Sequence, residues 1–150
     1  MLEINTVSGV AHAIQMAVAP VFLLSAIAMI LNVLTNRLGR VTDRVRVLEA
    51  KLESGPTGGA VALQVEISTL SKRAKLIDCA ITLSTITSIL VCAVIAILFL
   101  GAFLCFDINI TVMVLFILAM LSLVSALLFL LREILMATLK LVAKTSREAK

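Results

Sequence analysis

Eleven consecutive residues hold the densest chemistry in this chain: Asn36-Arg37-Leu38-Gly39-Arg40-Val41-Thr42-Asp43-Arg44-Val45-Arg46. On a helix, Arg37, Arg40 and Arg44 fall along one stripe, and Asp43 is placed to pair with Arg40 or Arg46 three residues away. Guanidinium groups in a row can grip phosphate oxygens in pairs, so an anionic lipid headgroup or an acidic partner protein is the ligand class they suit. The plainer reading is that they are charges that set membrane topology. Lys72, Arg73 and Lys75 add to the same basic collar from a later segment.

Other polar residues sit among apolar ones. His12 and Gln15 lie one turn apart near the start; a polar pair there could bind an ion or relay a proton, but one histidine without an acidic partner is a poor relay. Asp107 is the sole acid between two apolar runs. In an oligomer it could ring a pore mouth, and otherwise it is a solvated turn residue. Thr82, Ser84, Thr85, Thr87 and Ser88 give one apolar run a hydroxyl-rich stretch. Ser84 with Ser88, and Ser122 with Ala126, are small-xxx-small pairs that let helices approach closely, or that would give a water-filled path its lining.

Enzyme chemistry is not expected. There is no nucleophile–base pair, metal-ligand spacing or phosphate loop, so no catalytic residue, metal or cofactor is assigned. Cys79, Cys92 and Cys105 recur every thirteen residues, which puts successive thiols on opposing sides of a helix. They read as small packing residues.

The elements that position these groups follow from hydropathy. The chain has 150 residues, 61% of them hydrophobic. Soluble domains are roughly 45–50% apolar, and a chain this short cannot cover such an excess with polar groups. With a mean hydropathy of +1.17, lipid is the natural solvent. The net charge of +4 comes without Trp or Tyr to stack on bases, so nucleic acid is not the expected partner. The Met-Leu-Glu start lacks a basic signal-peptide region, and the first span is expected to be retained.

Three membrane spans are predicted, at about residues 10–35, 80–106 and 108–131, each long enough for a bilayer that needs ~20 apolar residues. Pro20 falls inside the first and predicts a kink. The thirteen Lys and Arg residues are partitioned: eight in Asn36–Asp78, five after Leu131, none elsewhere. Lys/Arg-rich loops stay in the cytoplasm. The N-terminus and the Asp107 turn are therefore expected outside and the C-terminus inside.

The polar segment has its own order. Leu34, Leu38, Val41, Val45, Leu48 and Leu52 are spaced alternately four and three apart, as are Leu63, Ile67, Leu70, Ala74, Ile77 and Ile81. Each set is an apolar seam of period 3.5. Ser54 to Gly59 can only be a turn between them. The expectation is an all-α protein whose first two membrane helices extend into an antiparallel coiled-coil hairpin over residues 36–78. Each arm would reach about 25 Å beyond the membrane. Symmetric pairing about the turn would bring Lys51 to Glu66, Arg37 to Asp78 and Arg44 unfavourably to Arg73. After Leu131 a helix is expected to continue over residues 132–147, with Leu131, Leu135 and Val142 on one face and Arg132, Lys140, Lys144 and Arg147 elsewhere. That helix would pack on the hairpin or lie on anionic headgroups.

The cluster Asn36 to Arg46, together with Ala19-Pro20-Val21-Phe22-Leu23-Leu24 and Lys72-Arg73-Ala74-Lys75-Leu76-Ile77, resembles a family of small bacterial membrane proteins known only as a domain of unknown function. The resemblance spans nearly the whole chain and implies a bacterial inner membrane and three spans. It implies no activity. The chain thus reads as a non-enzymatic membrane scaffold or adaptor. It would act through its hairpin and basic collar, as a homo-oligomer or with another membrane or cytoplasmic protein. The competing reading is a subunit of an oligomeric channel lined by the second span, with Asp107 at the outer mouth.

Overall fold

The computed structural model is all α-helical. It describes α1 (Leu2–Ser54), α2 (Ala60–Leu104) and α3 (Asn109–Glu148), with side chains described over Ile14–Ser54, Ala60–Gly101 and Asn109–Thr138. Of the turn predicted at residues 54–59, Ser54 still belongs to α1, while residues 55–59, the Asp107 link and the side chains of His12, Cys105, Lys140, Val142, Lys144 and Arg147 lie outside the described residues.

Each helix contains an apolar stretch long enough to cross a membrane. At 1.5 Å per residue, α1 is about 80 Å long, against a hydrocarbon core of ~30 Å. Only 22%, 22% and 11% of the three apolar windows is buried inside the protein. The rest, including Phe22, Met29 and Ile110, faces outward, which is tolerable only in an apolar solvent.

Helix α1 continues through Pro20, which is buried. Proline removes one backbone bond, to the carbonyl of Met16, but the turns on either side stay helical. Pro20 therefore does not break the helix.

The chain divides into two compact units. The apolar unit comprises Met1–Leu31 and Leu83–Val124; the polar unit comprises Asn32–Thr82 and Ser125–Lys150. In the apolar unit the buried positions include Ala17, Ile27, Ser84, Thr87, Val91, Val94 and Ala119. In the polar unit they are Leu34, Val41, Leu48, Ile77, Ala80, Ala126 and Glu133.

These positions share a period. Along α1, Ile27, Leu34, Val41 and Leu48 are spaced by seven. Along α2, Ile77, Ala80, Ser84, Thr87, Val91 and Val94 alternate three and four. Along α3, Ala119, Ala126 and Glu133 are again spaced by seven. A 3.5-residue repeat keeps one stripe of a helix against its neighbours along its whole length. Burying a Leu or Ile fully contributes about 1.5–3 kcal/mol where the alternative is water. In lipid that drive vanishes, and small residues such as Ala17 and Ala119 let backbones approach for dispersion contact.

Candidate functional site: an arginine cavity around a buried glutamate

Glu133 occupies a stripe position of α3 and is 1% exposed. Arg37 of α1 donates from Nη1 to its Oε2, and Arg73 of α2 donates from Nη2 to its Oε1, each at 2.6 Å. One carboxylate thus ties three helices of the polar unit. The bonds are short because both sides are charged. A buried carboxylate is tolerable only with such partners, and removing one strands a charge.

A second ion pair differs in kind. Arg44 Nη2 lies 3.2 Å from Glu66 Oε1, with the side chains 56% and 47% exposed. Water screens this pair, and exposed pairs are worth no more than about 1 kcal/mol.

Together the two sets of contacts give the direction of these segments. Arg37 and Arg73 meet at one level and Arg44 meets Glu66. Seven residues forward on α1 match seven residues back on α2, so these segments run antiparallel. The partner of Glu66 is Arg44, where symmetric pairing predicted Lys51. Arg44 stands one heptad before Lys51 on α1, so Glu66 takes the basic residue one heptad along from the symmetric expectation. Arg37 turns to Glu133 instead of Asp78, because α3 offers a carboxylate shielded from water while Asp78 is exposed. The predicted Arg44–Arg73 repulsion is relieved because each has its own carboxylate. Asp43 makes no ion pair among the described residues. It and Arg46 are solvated, which competes successfully with an exposed i±3 contact.

Around Glu133 lies a cavity of about 400 Å³ lined by Arg37, Arg40, Val41, Arg44, Leu70, Arg73, Glu133 and Ala137. Four of the eight collar residues predicted from sequence therefore converge on it. Asp43, Arg46, Lys72 and Lys75 are exposed and do not line it. The Nε of Arg73 is buried without a partner.

Sequence reasoning overlooked Glu133. The available signal was the seven-residue step from Ala119 through Ala126, which lands on it. The face predicted to carry Leu131 and Leu135 is exposed and borders an open groove with Ser125, Leu128, Phe129 and Arg132.

Of the hydroxyls predicted on α2, Ser84 and Thr87 are buried in helix packing, while Thr82 and Thr85 are exposed. Thr87 Oγ1 and Ser122 Oγ both donate to the carbonyl of Leu83, at 2.9 and 3.0 Å, the second bond joining α3 to α2. Ser88 Oγ donates to the Ser84 carbonyl at 3.1 Å. Ser84 is fully buried, and its hydroxyl has no partner. Gln15 is exposed. Cys79 and Cys92 are free and exposed. No group of three metal-ligating side chains occurs among the described residues.

Three long apolar helices make this a multi-pass membrane protein of the all-α class. Residues 17–142 match the model of a family described as a protein of unknown function (DUF2721), and the chain belongs to that family. No curated protein and no solved structure matches the chain.

Proposed function

We propose that this protein is a non-enzymatic adaptor of the bacterial cytoplasmic membrane. Its N-terminus lies outside and its C-terminus in the cytoplasm. Helices α1 and α2 project from the bilayer as an antiparallel coiled-coil hairpin braced by α3. The observation that carries the reading is the double contact of Glu133 with Arg37 and Arg73. It ties three helices of the polar unit together and so presents their outer faces as organised surfaces. The Lys/Arg partition supports the orientation.

Val61 and Val65, one turn apart on the projecting arm of α2, are 77% and 62% exposed. They give the arm an apolar spot suited to a second copy of the chain or to a protein partner. Chemical cross-linking and native mass measurement in mild detergent test this. A homo-oligomer or a stable complex is expected, and a partnerless monomer contradicts it.

The channel reading draws less support, because Ser84 and Thr87 are buried in helix packing and Ser122 is bonded to α2. Ion flux through reconstituted protein that falls in Asp107→Ala would favour the channel over the adaptor.

A further inference from the structure

We infer that the arginine cavity is a binding site for a phosphate ester, and that its occupant is the headgroup of an anionic phospholipid. The proposal rests on the preceding reading that the polar unit stands at the cytoplasmic lipid surface.

Charge is the first argument. Four guanidinium groups line the cavity and only one carboxylate does. The excess is three positive charges, or two once Glu66 is set against Arg44. Such an excess in one concavity attracts anions and repels cations.

Unused donors are the second. Each guanidinium carries five N–H groups. Glu133 takes one from Arg37 and one from Arg73. Arg40 lines the cavity and has no ion pair among the described residues. Arg40 and Arg44 are one turn apart on α1, so both forks can reach the two non-bridging oxygens of one phosphodiester. Glu133 meanwhile holds Arg37 and Arg73 in place, which lowers the ordering cost of binding.

Size and lining are the third. A water's share of liquid volume is about 30 Å³, so a cavity of about 400 Å³ exceeds what a bare phosphate needs. Val41, Leu70 and Ala137 give it an apolar side that suits the carbon skeleton of an ester, such as glycerol.

Location is the fourth. No charged residue lies between Glu3 and Arg37, and none between Asp107 and Arg132. Arg37 and Glu133 are thus at the places where two apolar runs meet charge, which is the depth of lipid phosphates.

The test uses the full chain in mild detergent. Native mass measurement follows retained short-chain phosphatidylglycerol, with phosphatidylcholine as the zwitterionic comparison. Wild type is expected to retain phosphatidylglycerol at least tenfold more than phosphatidylcholine. The double variant Arg40→Ala, Arg44→Ala should lose at least tenfold of that retention. Arg40→Lys, Arg44→Lys, which keeps charge but not the forks, should fall between. The charge-matched control Lys72→Ala, Lys75→Ala, outside the cavity, should lose less than twofold. Equal loss in the control, or no loss in the arginine variants, overturns the site.

Competition with soluble glycerol phosphate separates the sources. Weak competition assigns the site to lipid. Full displacement at equal concentration keeps the phosphate-ester chemistry but overturns the lipid assignment. Sidedness is read separately. In membranes, Lys51→Cys, in a chain with Cys79, Cys92 and Cys105 changed to Ala, should react only from the cytoplasmic side. Labelling from outside removes the orientation reading, whatever the lipid result.

Discussion

The apolar and polar units carry the same 3.5-residue stripe but lock it differently. In the apolar unit the stripe is filled by Ala17, Ile27, Val91, Val94 and Ala119, and α3 is fastened to α2 by the Ser122 hydroxyl on the Leu83 carbonyl. In the polar unit the stripe on α3 carries Glu133, and the fastening is a carboxylate between two arginines. Packing of smooth side chains on a heptad stripe tolerates a slide of seven residues, since the same types meet again. A buried ion triad does not, because a slide would strand the charge. The ion triad therefore pins the register of the polar unit in a way that the apolar unit's smooth packing does not.

Substitutions can break that contrast in order of expected size. Glu133→Ala leaves Arg37 and Arg73 without their shared counter-charge. It should cost about 3–5 kcal/mol, read from the unfolding midpoint in mixed detergent micelles. Arg73→Ala leaves Glu133 buried with one partner. About 2–3 kcal/mol is expected, and more than for Arg37→Ala, because Arg73 is the less exposed of the two. In the apolar unit, Ser122→Ala removes one interhelical hydroxyl bond, worth about 0.6 kcal/mol in a membrane setting. Glu66→Ala, at the exposed pair, should cost about 0.2–1 kcal/mol and lose even that in high salt. If Ser122→Ala proved as damaging as Glu133→Ala, the units would be locked alike and the contrast would be void.

Much of the architecture was legible in the residues. Apolar run length predicted three helices, and the alternation of three and four from Leu34 picked out Leu34, Val41 and Leu48, which are buried; of the set from Leu63 only Ile77 is buried, and the others are half-buried. Three things were not legible. The partner of Glu66 was hidden because Arg44 and Lys51 stand a heptad apart on α1 and hydropathy does not choose between them. Glu133 was hidden because an acid beside Arg132, just past an apolar run, reads as solvated; its partners lie far away in the chain, at Arg37 and Arg73. Which way the tail's apolar face turns is left open by the residues, because Leu131 and Leu135 share it and hydrophobicity alone does not distinguish a lipid-facing stripe from a packed one; both are exposed. In lipid the outward face is often the more apolar.

The most direct test of the Glu133 tie is a double-mutant cycle on Glu133→Ala and Arg73→Ala, with unfolding free energies measured in the same micelles. Residues in contact couple by about 0.5–3 kcal/mol, while independent sites add within about 0.3–0.5 kcal/mol. The triad predicts coupling near the upper end, with the double variant much less damaged than the sum of the single ones. Additive effects would contradict it, and the polar unit would then have no buried charge holding its three helices in register.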